Sequence, residues 1–476
     1  MTEGADVELW TRRRVSVSVD HMAASISAVG LTHMRPEFRQ SITPRRGSVV
    51  ASPTVGAAAR PDYFFHWLRD SAVVVEALAI AIERGFTDRE RLRDLGDFVD
   101  FSLEIGRLDG PARLAAEGPG ETTDAELARY LRSETELETV VGDRVLAEAR
   151  VNPDATLDIL KWARPQVDGP ALRALALMRR RPLFEQNRPE AARALLRGDI
   201  AFLLDRFDEP SYDVWEYRFG HHYNARLLCL AALERAAAQD AGLGLDAARC
   251  DEAARRLRRD LDHHWNVEDG FYLSAIKGTE TRSDADLDSA VVLAVAQAGR
   301  AGARHSALDP RAQATLARLE QLFAREFPIN SGLAPEAAPL PGRFRGDGYY
   351  GGGVFLFVAF AAAEIYYRLA GHIRAEGTCR ADADNRLFLE RCGLDALAAQ
   401  GPDVFLPQGE ERRDIAARLR DRGDSILRRL AELLPDTGEM PEQLDKTTGA
   451  PASARNLAWS YAAHIFAVAA REDSLA

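Results

Sequence analysis

The sequence predicts an all-α fold, a helical barrel in which paired helices form an inner and an outer ring. Three observations predict it. About a dozen segments carry apolar residues at helical spacing. Strand signals are few and short. Several helical segments are apolar nearly all round, as a helix enclosed by others must be.

The first helix is predicted over residues 7–28. Residues 73–82 follow the Arg69-Asp70 pair and are apolar on most sides, and 92–103 repeat the helical spacing. A helix over 170–178 starts after Asp168-Gly169, with Pro170 near its first turn, where a missing N–H costs nothing. The segments 191–207, 223–238, 247–263, 287–298, 312–327 and 354–369 continue the series. A shorter one is expected at 386–397, then 415–434 and 457–470. Strands are expected at 47–51 and, after the Asp269-Gly270 turn, at 270–276. Residues 115–148 are acidic and polar, loosest at 118–123, and read as a mobile surface insertion. With no repeat and no linker composition, residues 1–476 read as a single domain.

Composition narrows the function. With 476 residues and 46% hydrophobic content the chain can bury a large core. A net charge of −12 argues against nucleic acid as the main partner. Only three of the 61 basic residues are lysine (Lys161, Lys277, Lys446), and no Walker-type loop is present. The four cysteines form no CxxC pair and suit a reducing compartment, where they are expected to stay unpaired. Residues 1–14 lack the apolar core of a signal peptide, and the longest apolar stretch, 354–363, is too short to span a bilayer. The expectation is a cytoplasmic protein with no membrane partner, no metal and no cofactor.

The informative residues lie between the helices. The first cluster, 61–70, sets Tyr63, Phe64, Phe65 and Trp67 beside Arg69 and Asp70. Aromatic faces stack on the C–H face of a pyranose, while Arg and Asp hold vicinal hydroxyls. An aromatic helix start with an ion pair is an equal reading. The second cluster runs from Trp162 to Pro170. The third, Tyr212 to Tyr217, contains Val214, Trp215 and Glu216. The fourth is glycine-rich, 342–353, with Arg343 and Tyr349-Tyr350; it lacks the strand-to-helix setting of a phosphate loop. The fifth holds Glu442 and leads through Asp445-Lys446 and Ser453 to Trp459 and Tyr461. Each cluster ends where a helix begins, so a barrel gathers them at one end. Glu216 beside Trp215 would keep its proton through poor solvation, while Glu442 near Ser453 would stay ionised. Two carboxylates in unlike settings are what glycoside hydrolysis requires. His221-His222 read as polar residues at a helix start rather than a metal pair, since no third ligand is spaced nearby. His66 reads equally as a site wall or a packed histidine.

In the same order along the chain, these five clusters resemble the catalytic domain of glucoamylases, glycoside hydrolase family 15. The resemblance runs over 47–463 and is strongest at 49–53, 61–71, 164–173 and 453–462. It implies an (α/α)6 barrel and an inverting mechanism, with Glu216 as general acid and Glu442 as general base. The carboxyls would lie about 6.5–9.5 Å apart to admit water. It also implies that Arg69, Asp70 and Arg343 hold sugar and that Tyr63, Trp67, Trp162 and Trp459 wall the pocket. Trp215 and the Val214 carbonyl would contact sugar, and Ser453 would orient Glu442. The implied activity releases β-glucose from non-reducing ends of α-1,4-glucans or maltooligosaccharides. Isomaltose, dextran or trehalose are alternative substrates for the same machinery. A regulatory carbohydrate-binding barrel, like the phosphorylase kinase regulatory subunits, is the non-enzymatic alternative; Glu216, Glu442, Arg69 and Asp70 together weigh against it. The chain departs from the family at Tyr217, where a second acidic residue is common, and at Val354-Phe355, where Trp is common. Both departures fall on the leaving-group side. The residues before the first motif are too few for the β-sandwich with which bacterial members usually begin. No oligomeric state follows from the sequence.

Overall fold

The computed structural model describes residues 3–56, 60–239, 241–276, 283–302 and 304–475; Lys277 lies outside them. Among the described residues, twelve helices reach nine residues or more. They are α1 (Glu3–Ala23), α2 (Leu68–Glu83), α3 (Leu92–Ile105), α4 (Asp168–Arg179), α5 (Pro189–Arg206) and α6 (Tyr223–Ala237). The rest are α7 (Ala247–Asp262), α8 (Ala290–Ala298), α9 (Pro310–Glu326), α10 (Leu356–Glu376), α11 (Glu410–Leu433) and α12 (Ala458–Leu475). The even-numbered helices pack side by side in chain order, and α12 packs on α2 to close the ring. The odd-numbered helices lie outside it: α1 against α12, α3 against α2, α5 against α4, α7 against α6, α9 against α8 and α11 against α10. This is an (α/α)6 barrel.

The two rings follow from the residue pattern. In α2 every residue from Leu68 to Ile82 is buried, and α10 is buried without a break from Leu356 to Tyr367. Alanines 72, 77, 79 and 81 let neighbouring backbones approach α2. An outer helix buries one stripe instead: α7 buries Cys250, Ala253, Ala254, Leu257 and Leu261 and exposes the rest of its surface to partial or full solvent. Buried ion pairs fix the rings against each other. Arg173 of α4 binds both carboxylate oxygens of Asp199 of α5 (2.9 and 2.6 Å), and Asp424 of α11 takes two bonds from Arg471 of α12 and one from Tyr367 of α10.

Several element boundaries differ from those expected. Helix α1 ends at Ala23, short of 28, where the Ser25 and Ile26 N–H groups turn back to the Met22 and Ala23 carbonyls and Ile26 leaves to bridge Val49. Helix α2 starts at Leu68, so Arg69 and Asp70 belong to its first turn instead of a loop. The 386–397 segment is two short helices, Arg386–Arg391 and Asp395–Ala398, parted at Gly393 (φ 65°). The 47–51 strand reduces to a single bridge, Ile26 to Val49, and 270–276 splits between two partners: Phe271–Tyr272 pairs with Trp265–Asn266, and Ala275–Ile276 with His221-His222. The stretch 115–148, expected to be a mobile insertion, is anchored. It carries the helix Glu134–Glu138 under a Ser133–Glu136 capping box, and buried Arg132 and Glu148 pair at 2.9 Å.

Arg173→Met should cost about 3–5 kcal/mol in urea unfolding at neutral pH, because it strands a buried carboxylate. Burial already holds the Asp199 carboxyl above its usual range. Left unpaired, Asp199 would take up a proton in acid, so the loss should shrink as pH falls. An equal loss under mildly acidic and mildly alkaline conditions would contradict this.

Candidate active site

The six inner helices all begin at one end of the barrel, and short strands in the connectors staple the loops there. His66–Trp67 pairs with Arg150–Val151; Val354–Phe355, Gln443–Leu444 and Pro451–Ala452 form a three-stranded patch. Between them opens a cavity of about 500 Å³. Glu216, Glu442, Tyr63, Trp67, Arg69, Asp70, Trp162, Val214, Trp215, Tyr217, Arg343 and Trp459 all line it. Ser453 sits behind Glu442 and bonds to it.

The floor is built on the first turn of α2. Buried Arg69 donates to Gln166 (3.0 Å), Asp168 (3.3 Å) and Glu216 (3.4 Å), and its Nε lies 3.3 Å from Asp70. Burial raises the Asp70 carboxyl to about 6 against the opposing pull of Arg69. Asp70 Oδ2 and Asp168 Oδ1 are buried with no hydrogen-bond partner. Such acceptors are costly to leave without a hydrogen bond; of the two residues Asp70 lines the cavity, where a ligand hydroxyl would meet its carboxylate. The close approach of α4 to this turn requires Gly169, where a Cβ would stand 2.7 Å from that of Leu68 and 3.0 Å from the Arg69 nitrogen.

Glu216 occupies the left-handed region (φ 62°), which costs a non-glycine residue about 1–3 kcal/mol. The turn holds because Glu216 N–H bonds to the Asp213 carbonyl (2.9 Å) and the Asp213 carboxylate accepts from Tyr217 N–H (2.7 Å) and Arg218 N–H (3.2 Å). The strained backbone aims the side chain into the cavity. There it accepts from the indoles of Trp67 (2.8 Å) and Trp162 (2.5 Å) and from Gln166 (3.1 Å). Behind those indoles lies Arg150, its guanidinium 3.8 Å from the Phe65 ring centre and 3.6 Å from that of Trp162, with Asp158 2.8 Å from its Nε.

Glu442 comes from the opposite wall. Its N–H bonds to the Ala454 carbonyl (2.8 Å), and its carbonyl accepts from Leu356 N–H (3.2 Å) at the head of α10. Ser453, itself left-handed (φ 61°), donates to one carboxylate oxygen and Tyr63 to the other (3.3 Å); Tyr63 and Tyr349 share a 2.6 Å bond. The expectation that polar neighbours keep Glu442 ionised needs correction. Burial outweighs Ser453, Arg343 and Tyr63 and pushes its carboxyl up to about 7. Arg343 is clamped by Asp347, with one bond of 2.7 Å and one of 2.5 Å, and lies over Tyr349 and Phe355. Trp215 donates to Asp288 (2.9 and 3.1 Å), whose carboxyl burial raises to about 7.

Gln166, Asp168 and Tyr349 lie within the sequence clusters, and their bonds to Arg69, Glu216 and Tyr63 add them to the site. Arg150 and Asp288 fall outside every cluster, and only the fold brings them in. His66 is packed, not a wall: it is fully buried, its Nδ1 accepts from Val49 N–H (3.0 Å), and burial lowers it to about 3. His222 immediately precedes α6 and bonds the Arg218 carbonyl. Asp445 caps its own turn through Thr447 and Thr448.

The family model for Glycosyl hydrolases family 15 matches residues 31–102 and 139–469. The chain belongs to this family. It is a glycoside hydrolase, and the break in the match falls across the anchored insertion. Glucoamylase-1 of Schizophyllum commune is 25% identical over 452 residues, spanning 94% of this chain and 72% of the relative. The probable glucoamylase of Schizosaccharomyces pombe is 25% identical over 490 residues (98% and 92%). The intracellular sporulation-specific glucoamylase of Saccharomyces cerevisiae is 24% identical over 509 residues (99% and 86%). In three dimensions the chain is similar to the glucoamylase of Hormoconis resinae, with a TM-score of 0.80 at 23% identity over 97% of this chain and 73% of that one. The glucoamylase of Saccharomycopsis fibuligera gives 0.79 at 21% identity, over 99% and 96%. These likenesses show the fold.

Removing the Ser453 hydroxyl takes away a donor to the Glu442 carboxylate. In Ser453→Ala, carboxyl-labelled carbon-13 NMR should therefore find Glu442 titrating above its wild-type midpoint. A midpoint that stays put or falls would show that the bond does not hold the ionised form.

Proposed function

We propose that the protein is an exo-acting, inverting α-glucosidase that releases β-D-glucose from the non-reducing ends of α-1,4-glucans or maltooligosaccharides. The observation that carries this reading is a pair of carboxylates facing one closed-floored cavity without touching. Glu442 bonds to Tyr63, the Tyr63 ring lies 5.2 Å from that of Trp67, and Trp67 donates to Glu216. The two carboxylates thus share one cavity of about 500 Å³ without bonding to each other, and an inverting pair needs a water and a sugar between them.

In this reading the terminal glucose enters the floor, where Arg69 and Asp70 take vicinal hydroxyls. Trp459, stacked on Phe357 at 4.3 Å, and Tyr63, Trp67 and Trp162 wall the ring, and the Val214 carbonyl accepts a further hydroxyl. Glu216 gives its proton to the glycosidic oxygen as the bond to C1 breaks. Glu442 takes a proton from the water that attacks C1 from the opposite face. A base raised to about 7 is a stronger proton acceptor than an ordinary carboxylate. Clamped Arg343, lying over Trp215 at 5.4 Å, holds the wall between them. The glucoamylase names of the relatives support the α-glucan substrate. The cysteines Cys229, Cys250, Cys379 and Cys392 are all unpaired, which supports a cytoplasmic location. No described helix is long and apolar enough to cross a membrane.

On maltose, Glu216→Gln should lower kcat by about a hundredfold to ten-thousandfold with KM little changed. A variant with wild-type turnover would remove Glu216 from the acid role. Because the base must be ionised, kcat/KM should fall as pH drops through about 7. A profile still flat well into the ordinary carboxylate range would contradict Glu442 as that base.

A further inference from the structure

A second cavity, of about 290 Å³, opens toward the opposite end of the barrel, and all six inner helices line it. Its charged groups are Arg179, Arg180, Arg235 and Arg368 with Glu76 and Glu364. Most of them are paired. Arg179 binds Glu76 (3.2 Å) and donates to the Gln297 and Ala298 carbonyls at the end of α8. Arg368 holds Glu364 through two bonds, and Arg180 binds Glu83 (2.5 Å). Arg235 is left over. It is exposed at the last turn of α6, and among the described residues it forms no hydrogen bond or salt bridge. Partial burial and the like charges of Arg179 and Arg180 lower its guanidinium from its usual value, against the pull of Glu76. Three more polar atoms are unsatisfied: Arg180 Nε and both amide atoms of Gln297 are buried with no hydrogen-bond partner. A Cβ at Gly299 would stand 3.0 Å from Arg368 Nη1 and 3.1 Å from Arg179 Nη2, so two guanidinium groups converge over a residue with no side chain.

We infer that this cavity is a binding site for a phosphoryl dianion, either inorganic phosphate or the phosphate monoester of a sugar. The surplus charge is positive, and planar guanidinium groups match the oxygens of a phosphoryl group in geometry as well as charge. Gln297 narrows the ligand further. Its amide lacks both an acceptor and a donor, so the ligand must offer both. Inorganic phosphate does so through its bare oxygens and its one hydroxyl, and a sugar phosphate through its phosphoryl oxygens and sugar hydroxyls. The inner helices end on this side, and the negative ends of their dipoles oppose an anion. Arg179 already offsets that at α8 by bonding its last carbonyls, which leaves Arg235 and Arg180 Nε for a ligand. Helices α2 and α4, whose first turns carry Arg69 and Asp168, both reach the cavity, so an occupant would brace that pair. The inference does not depend on the glucosidase reading.

The test is titration calorimetry and thermal unfolding of the full chain at mildly alkaline pH, where phosphate is a dianion. The probes are inorganic phosphate, glucose 6-phosphate and sulfate, each matched in ionic strength by sodium chloride. At about a hundred times its Kd, phosphate or the ester should raise Tm by about 2–3 °C over chloride. Sulfate has no O–H to donate, so it should bind about tenfold or more weakly than phosphate. Arg235→Ala removes an exposed side chain, so its Tm in chloride should stay within about 1 °C of wild type. Its affinity for phosphate should fall about tenfold or more. Gln297→Leu should still bind both anions but no longer prefer phosphate to sulfate. Tighter binding of inorganic phosphate would name the free anion as the ligand, and tighter binding of the ester would name a sugar phosphate; either supports the site. No binding of either would show that the arginines serve only the helix ends, and would overturn the inference. Undiminished binding in Arg235→Ala would place the anion elsewhere on the chain, and sulfate binding as tightly as phosphate to the wild type would overturn the phosphoryl assignment.

Discussion

The site depends on one buried cation. Arg69 stands on the first turn of α2, at the positive end of the helix dipole and out of water, where a guanidinium is unfavourable on both counts. It is held there by Asp70, Asp168 and Glu216, which come from the α2 turn, the head of α4 and the 213–217 loop. Arg69 thus joins two inner helices to the loop that carries one of the two facing carboxylates. One cation does not balance three carboxylates, and burial raises Asp70 and Asp168 above their ordinary values. The arrangement also needs Gly169, because any side chain there would drive α4 away from the Arg69 backbone.

From this anchor the rest of the end-face follows. A closed ring of inner helices brings six helix starts together, and short strand pairs lock the connectors between them. Rigidity in those connectors supports left-handed backbone at Glu216, Tyr350, Ser453 and Asn456. Two of these bear on a carboxylate: Glu216 is one itself, and Ser453 bonds Glu442. Strain held by surrounding hydrogen bonds costs stability but fixes direction, which a site with two facing carboxylates requires.

Much of this was legible in the sequence, for identifiable reasons. Helices betray themselves by spacing, and the all-round apolar stretches mark the inner ring. The aromatic and carboxylate residues of the cavity fell in clusters before helix starts, which is where a barrel collects its loops. What escaped had a physical cause. Arg69 and Asp70 look like loop residues because polar groups at a helix start face a cavity rather than solvent, so α2 was expected to begin at 73. Arg150 serves the site through stacking on Phe65 and Trp162, and Asp288 through the Trp215 indole; neither contact leaves a local pattern. Glu442 was expected to stay ionised because Ser453 lies near it; the Ser453 bond is present, but burial outweighs it. The 115–148 stretch looked loose because its composition is acidic, yet its Arg132–Glu148 pair is buried and continues through Arg164 to the loop of Trp162.

The central claim is that Glu216 and Glu442 act on opposite faces of one glycosidic bond with a water between. Proton NMR of maltose in the first minutes of reaction tests it most directly, because it reports the anomer before mutarotation mixes the two. The account predicts that β-glucose appears first. Early α-glucose would mean that no single displacement by water takes place, and would contradict the account.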